Sequence, residues 1–313
     1  MKLSIVIPVY NEEGNIKKLH KELDEVLGKI GASYEVIWVN DGSKDGSLAV
    51  LEALAKTDPH TKVLSFVYNF GQTAAMSAGI KQATGDIIIP MDADLQNDPI
   101  DIPKFLEKIE EGYDVVSGWR KDRKDAFVLR KVPSLIANYI IRTITGVYIH
   151  DYGCSMKAYK RDMIQGINLY GEMHRFIPAY ISWHGGKVTE IVVHHRARIH
   201  GETKYGISRT FRVILDLILI KFLSKYMNRP IHFFGGLGFG ALFLGFLAGG
   251  TAIVFKLIHY KTIIETPLPI FSALLIIVGV QLIVMGIIAE MLMRVYYESQ
   301  KKDPYLIKEK INI

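Results

Sequence analysis

Cysteine is nearly absent from this chain of 313 residues: Cys154 stands alone. A single cysteine excludes an internal disulfide and fits a reducing compartment. The glycine-rich turn of a dinucleotide-binding unit is missing, because the turn after the first apolar run reads VYNEEGN, and there is no P-loop. No Ser-His-Asp signature is evident, and Cys154 reads as a small packed side chain rather than a nucleophile. No signal peptide is expected, since Met1-Lys2 leads straight into SIVIPVY, which reads as a strand. Charged residues make up 22% of the whole but become scarce after Pro230.

What replaces charge there is two long apolar runs. One covers about 231–258 and the other about 269–293, each meeting the ~20 residues needed to cross a bilayer core. Lys221, Lys225 and Arg229 precede the first run, and Arg294, Lys301 and Lys302 follow the second. The connection HYKTIIETPLP carries only Lys261 and Glu265 as full charges. This bias predicts cytoplasmic termini, a cytoplasmic soluble domain and a multi-pass anchor in the inner (plasma) membrane. Gly236-x-x-x-Gly240 and Gly245-x-x-x-Gly249 permit close helix approach, within one chain or between copies in a homo-oligomer. The net charge of +6 suits membrane lipid headgroups or phosphorylated substrates, or is simply a solvated basic surface. No nucleic-acid partner is expected.

Residues 1–120 alternate strand and helix. LSIVIPVY, YEVIWVN, KVLSFVY and DIIIPMD read as strands. NEEGNIKKLHKELDEVLGKI has helical spacing at Ile16, Leu19, Leu23, Val26, Leu27 and Ile30. This pattern predicts an α/β domain over residues 1–206, with a mostly parallel sheet covered on both faces. A juxtamembrane amphipathic helix is expected at 207–229, and two transmembrane helices with a short tail at 230–313. Such sheets bind ligands beyond the carboxyl ends of their strands. There the polar motifs gather: Tyr10-Asn11-Glu12, Asn40-Asp41-Gly42-Ser43 and Asp92-Ala93-Asp94. Two carboxylates two residues apart after a strand suit Mg²⁺ or Mn²⁺ bridging a diphosphate. The alternative is capping of the next helix by Asp94 or Asp98.

SIVIPVYNEE, NDGSKDGS, GDIIIPMDADLQ and RARIHGETKYG together resemble the inverting GT-A glycosyltransferases, the large family that includes dolichol-phosphate mannose synthase. Closer still is the resemblance to polyprenyl-phosphate glycosyltransferases with two carboxyl-terminal spans. NFGQTAAMSAG, DADLQNDP, EGYDVVSGWR, DYGCSMKAY and HHRARIHGETKYG are similar to the bacterial undecaprenyl-phosphate 4-deoxy-4-formamido-arabinose transferases. The resemblance implies that Pro8, Tyr10, Glu12 and Asp41 hold the nucleoside. It implies that Asp92 contacts nucleotide and metal, with Asp94 and Gln96 as further metal ligands. Arg120, Arg130 and Ser134 would grip the lipid phosphate, and Arg198 and Lys204 the donor phosphates. Asn40 stands where many relatives carry an aspartate.

The residues themselves agree on the acceptor side. WRKDRKDAFVLRK is a basic loop, and VPSLIANYIIRTIT after it places Ser134, Asn138, Arg142 and Thr145 on one helical face. Leu135, Ile136, Tyr139, Ile140 and Ile144 lie on the other. That suits a membrane interface, or else a packed core helix. Asp151 could orient sugar hydroxyls in the reaction or cap a turn. The expected activity joins a nucleotide-sugar donor, most simply a UDP-sugar, to a polyprenyl phosphate such as undecaprenyl phosphate, with metal and with inversion. Its product would serve cell-envelope glycan or lipopolysaccharide modification. The rivals are a GDP-sugar enzyme like dolichol-phosphate mannose synthase and a non-catalytic membrane assembly protein that keeps a nucleotide-binding domain.

Overall fold

The computed structural model describes residues 1–121, 138–196 and 230–300 apart from positions 140, 144, 168, 170, 172 and 261, together with Phe222 and Tyr226. The predicted alternation is present: β1 (Lys2–Val9), α1 (Glu13–Ile30), β2 (Ser33–Asn40), α2 (Ser47–Thr57), β3 (Thr61–Ser65), α3 (Gln72–Gln82) and β4 (Ile87–Pro90). Then come α4 (Ile102–Glu110), β5 (Val115–Trp119), β6 (Lys157–Lys160), the short α5 (Arg161–Ile164), α6 (Ile177–Trp183) and β7 (Val188–Val192). Helix α1 buries Ile16, Leu19, Leu23 and Leu27 and stops at Gly31, whose φ of 70° is the left-handed conformation that ends helices.

Among the described residues, seven strands join one sheet in the order β3-β2-β1-β4-β6-β5-β7. β1 is parallel to β2 and β4, β2 to β3, and β5 to β7. Only β6 runs antiparallel, between β4 and β5, so β4 and β5 share a direction. Alternation along β1 feeds two cores. Leu3, Ile5, Ile7 and Val9 pack with α1 and with Phe105 of α4, whereas Val6 packs with Ala75, Met76 and Ile80 of α3 and Ile181 of α6. Burying each of these Val, Leu, Ile, Met and Phe side chains contributes about 1.5–3 kcal/mol.

Residues 138–145 are helical at the described positions, and they bury Asn138 and Thr145 together with Ile141. Asn138 Nδ2 donates to His150 O at 3.0 Å, and Thr145 Oγ1 lies 3.0 Å from Tyr152 Oη. Tyr139 is exposed. The polar side chains satisfy the 147–152 segment, which explains why this amphipathic helix presents an apolar residue outward.

Residues from Phe222 onward form a second compact unit. Its helices α7 (Pro230–Leu257) and α8 (Leu268–Gln300) are long and apolar enough to cross a membrane, close to the expected bounds. Glycines let them touch: a Cβ on Gly238 would come within 2.7 Å of Gly279 O, and one on Gly245 within 2.9 Å of Ile276. Ser272 Oγ donates to Gly245 O at 2.8 Å. Of the two expected glycine pairs, Gly245 and Gly249 face α8. Gly236 and Gly240 do not, having nothing within 4 Å of an added Cβ. The expected helix at 207–229 lies largely outside the described residues.

Candidate active site

Since every strand but β6 points the same way, the ends of β1, β2, β4, β5 and β7 share one edge. Tyr10–Glu12, Asp41, the Asp92–Gln96 loop, Arg120 and His194-His195 follow those ends. β6 starts from the same edge, which brings Ser155 there as well. The half-buried Pro8 lies near the end of β1.

Asp92 is enclosed by partners. Gln72 Nε2 donates to its Oδ1 at 2.7 Å, and Ser155 Oγ to its Oδ2 at 2.7 Å. Its own backbone N–H donates to Asn97 Oδ1 at 3.1 Å. Burial, and then the charge of Asp94, push its carboxyl above the ordinary value. Asp94 is 6% exposed and accepts the Gln96 N–H at 3.1 Å. Between them Leu95 adopts a left-handed φ of 63° while its side chain is buried. A branched residue there costs about 1–2 kcal/mol, which the core contact of Leu95 offsets. Two crowded carboxylates and the neighbouring Gln96 amide are hard oxygen donors and fit Mg²⁺ or Mn²⁺. Asp98, not Asp94, takes the capping role, accepting Ile100 N–H.

Asp41 is buried and holds the β3–α3 loop. Its carboxylate accepts Phe70 N–H at 2.7 Å, Gly71 N–H at 3.0 Å and Asn69 Nδ2 at 3.0 Å, while burial raises its pKa. Asn40 accepts Ser43 N–H and donates to Ser65, so it serves the turn. Glu12 accepts Asn15 Nδ2 at 2.6 Å.

Arg120 and Asp151 form a fork, Nε to Oδ2 at 2.7 Å and Nη2 to Oδ1 at 3.1 Å. Burial alone would lower the arginine's pKa; the Asp151 charge holds it raised. Asp151 also accepts Gly153 N–H at 3.0 Å, the turn-capping role, but its grip on Arg120 was not foreseen. Below them lies Lys157, buried, its ammonium donating to the carbonyls of Tyr152 and Cys154, with burial pushing its pKa down to about 8. Cys154 is buried and its thiol pKa raised by burial, which suits packing and not nucleophilic attack.

The segment after β7 is fastened to the acidic loop. His195 and Asn97 form a bridge, Arg196 N–H donates to Gln96 O at 3.0 Å, and Arg196 pairs with Asp98 and Glu22. His194 binds Asp101. Arg198, Lys204, Arg130 and Ser134 lie outside the described residues. Gln72, Ser155 and Asn97 were missed as site residues. They fall within NFGQTAAMSAG, DYGCSMKAY and DADLQNDP, yet no spacing links them. Away from this edge, His20 contacts Asp58 through Nε2 at 3.0 Å and Asp24 through Nδ1 at 3.9 Å.

Known proteins are similar to this chain in sequence and in fold. The chain is 43% identical to the dodecaprenyl-phosphate galacturonate synthase of Rhizobium johnstonii, covering 99% of this chain and 93% of that one. It is 35% identical to the undecaprenyl-phosphate 4-deoxy-4-formamido-L-arabinose transferase of Shewanella sediminis, covering 98% and 92%. In fold it is similar to glucosyl-3-phosphoglycerate synthase of Mycobacterium tuberculosis, solved with Mn²⁺, UDP and phosphoglyceric acid. That match has a TM-score of 0.55 and 18% identity over 70% of this chain and 78% of that one. The model of glycosyl transferase family 2 matches residues 4–167, more than half of the chain and all of the edge from Tyr10 to Lys157. With acids, arginine fork and sheet direction falling inside that match, the chain is a glycosyltransferase and belongs to glycosyl transferase family 2.

Proposed function

We propose that this enzyme transfers a sugar from a UDP-sugar to a polyprenyl phosphate at the cytoplasmic face of the inner membrane, and that the sugar is galacturonic acid. The observation that carries the reading is the crowded Asp92–Asp94 pair on the strand edge, beside a cation held by Asp151, in a chain with two apolar helices of membrane-crossing length. The galacturonate synthase is the more similar of the two named relatives, 43% against 35%, which favours a uronic acid over formamido-arabinose or glucose. Further copies of the chain are expected partners.

Asp92, Asp94 and Gln96 would hold the divalent cation. Bound there, it would neutralise the charge that develops on the departing nucleoside diphosphate. Tyr10, Glu12 and Asp41 flank the place where a nucleoside would sit, at the ends of β1 and β2. An acceptor phosphate is already an anion at pH 7, so the site needs no strong base. Its residues align the acceptor oxygen with the anomeric carbon, and attack from the face opposite the diphosphate inverts that carbon. Arg120, locked in its fork, supplies a fixed positive charge beside Asp92.

The test is to incubate purified protein with undecaprenyl phosphate and UDP-galacturonic acid, UDP-4-formamido-arabinose, UDP-glucose or GDP-mannose, reading the lipid by mass spectrometry. Galacturonosyl lipid is the expected product, and Asp94→Ala should abolish it. Exclusive use of GDP-mannose overturns the UDP reading. Binding without transfer of any of these four sugars would mean that the donor lies outside the panel and would overturn the galacturonate reading.

A further inference from the structure

We infer that Gln72, Ser155 and Asn97 are positioning residues that fix the orientation of Asp92 before any donor arrives. The inference rests on the reading that Asp92 acts on the donor nucleotide and its cation. An aspartate side chain turns about two bonds, and its carboxylate can swing by rotation about either. Here both oxygens are restrained from different parts of the chain. Gln72, the first residue of α3, donates to Oδ1 at 2.7 Å. Ser155, in the segment entering the antiparallel β6, donates to Oδ2 at 2.7 Å. Asn97 accepts the Asp92 backbone N–H at 3.1 Å, and its Oδ1 also lies 2.9 Å from Ser155 Oγ. The Ser155 hydroxyl proton is therefore shared between the carboxylate and the Asn97 carbonyl. Asn97 is in turn pinned by its bridge to His195.

The arrangement does more than satisfy buried polar atoms. Each carboxylate oxygen has about two lone-pair directions, and each of these donors uses one. One direction per oxygen remains for a hydroxyl or a cation. Without the donors, repulsion from the Asp94 charge two residues on would favour turning the Asp92 carboxylate away from it. Packing alone would have been served by an apolar residue at 72 and an alanine at 155. The polar pair instead holds a charged carboxylate in one orientation, which presenting an oxygen to a ligand requires and packing does not.

The experiment measures UDP affinity of the full chain in detergent by calorimetry, with and without Mn²⁺, alongside steady-state transfer. The proteins are wild type, Asp92→Asn, Gln72→Leu, Ser155→Ala, Ser155→Thr and the double variants with Asp92→Asn. Gln72→Leu and Ser155→Ala should each lose about 10- to 100-fold of the Mn²⁺-dependent gain in UDP affinity, the range expected for one bond to a charged group. Metal-free UDP affinity should hold within about twofold. Ser155→Thr, which keeps the hydroxyl, should restore the gain, and neither change should add to the loss in Asp92→Asn. If Gln72→Leu does not fold, the serine pair decides alone. A wild-type gain in both single variants, or losses that add fully to that of Asp92→Asn, overturns the positioning role while leaving the function intact. No response of wild type to Mn²⁺, with Asp92→Asn unchanged, removes the functional reading and this inference with it.

Discussion

Four donors converge on Glu35, a side chain only 3% exposed: Ser4 Oγ at 2.5 Å, Lys62 Nζ at 2.6 Å, and Thr84 through its N–H at 2.7 Å and its Oγ1 at 2.9 Å. Burial alone would raise its pKa, but these bonds bring it from 4.5 down to about 2. A carboxyl whose folded value lies below its unfolded one stabilises the fold fully above the unfolded value. That contribution fades as pH falls from about 4.5 towards 2. The melting difference between wild type and Glu35→Gln should therefore be level from pH 8 to about 5 and narrow below 4.5. A difference that stays constant down to pH 3 would refute this. The acids of the candidate site were legible for a different reason: Asp41, Asp92 and Asp94 follow apolar strands directly, so their edge can be read from periodicity. Gln72 and Ser155 were not, since they lie 20 and 63 positions from Asp92 and meet it only through tertiary folding. Arg120 was legible as a cation, but its fork to Asp151 across 31 positions was not.

Strands and helices were read most securely where one period dominates. The α1 heptad-like spacing and the β1–β4 runs fall where expected, because a wrong register would expose a whole apolar face. The reversed direction of β6 was hidden, since a four-residue strand carries no mark of its neighbours. Glycine spacing in α7 did not by itself say which pair faces α8, for a related reason. The helix holds Gly235, Gly236, Gly238, Gly240, Gly245, Gly249 and Gly250, and several stripes can be drawn through them. Only packing against α8 selects Gly238, Gly245 and Gly249. Gly238→Leu should then drive the helices apart, at a cost of about 1–3 kcal/mol for overpacking. Gly240→Leu should leave the pair intact. Melting in detergent checks both: equal loss in the two variants would contradict this choice of face.

For the molecule as a whole, the basic residues flanking the two apolar helices predict one arrangement across the membrane. Thr262 lies between those helices, next to the turn Ile263–Glu265. A Thr262→Cys substitution should react with an impermeant thiol reagent in intact cells, and labelling only after lysis would reverse the topology. Background should be low, because Cys154 is buried. The construction of the active edge carries one more consequence, for the order of synthesis. Asp41, Asp92 and Asp94 leave the ribosome early, but Ser155 follows much later, and His195 and Arg196, which clasp the acidic loop, later still. At about 5–20 residues per second, the chain passes several seconds with Asp92 and its early partner Gln72 made but Ser155 and the 195–196 clasp not yet made. The edge can close only when residue 196 has emerged, and the first apolar helix begins at Pro230, little more than thirty residues behind. Assembly of the candidate edge and emergence of the first apolar helix are thus neighbouring events in time.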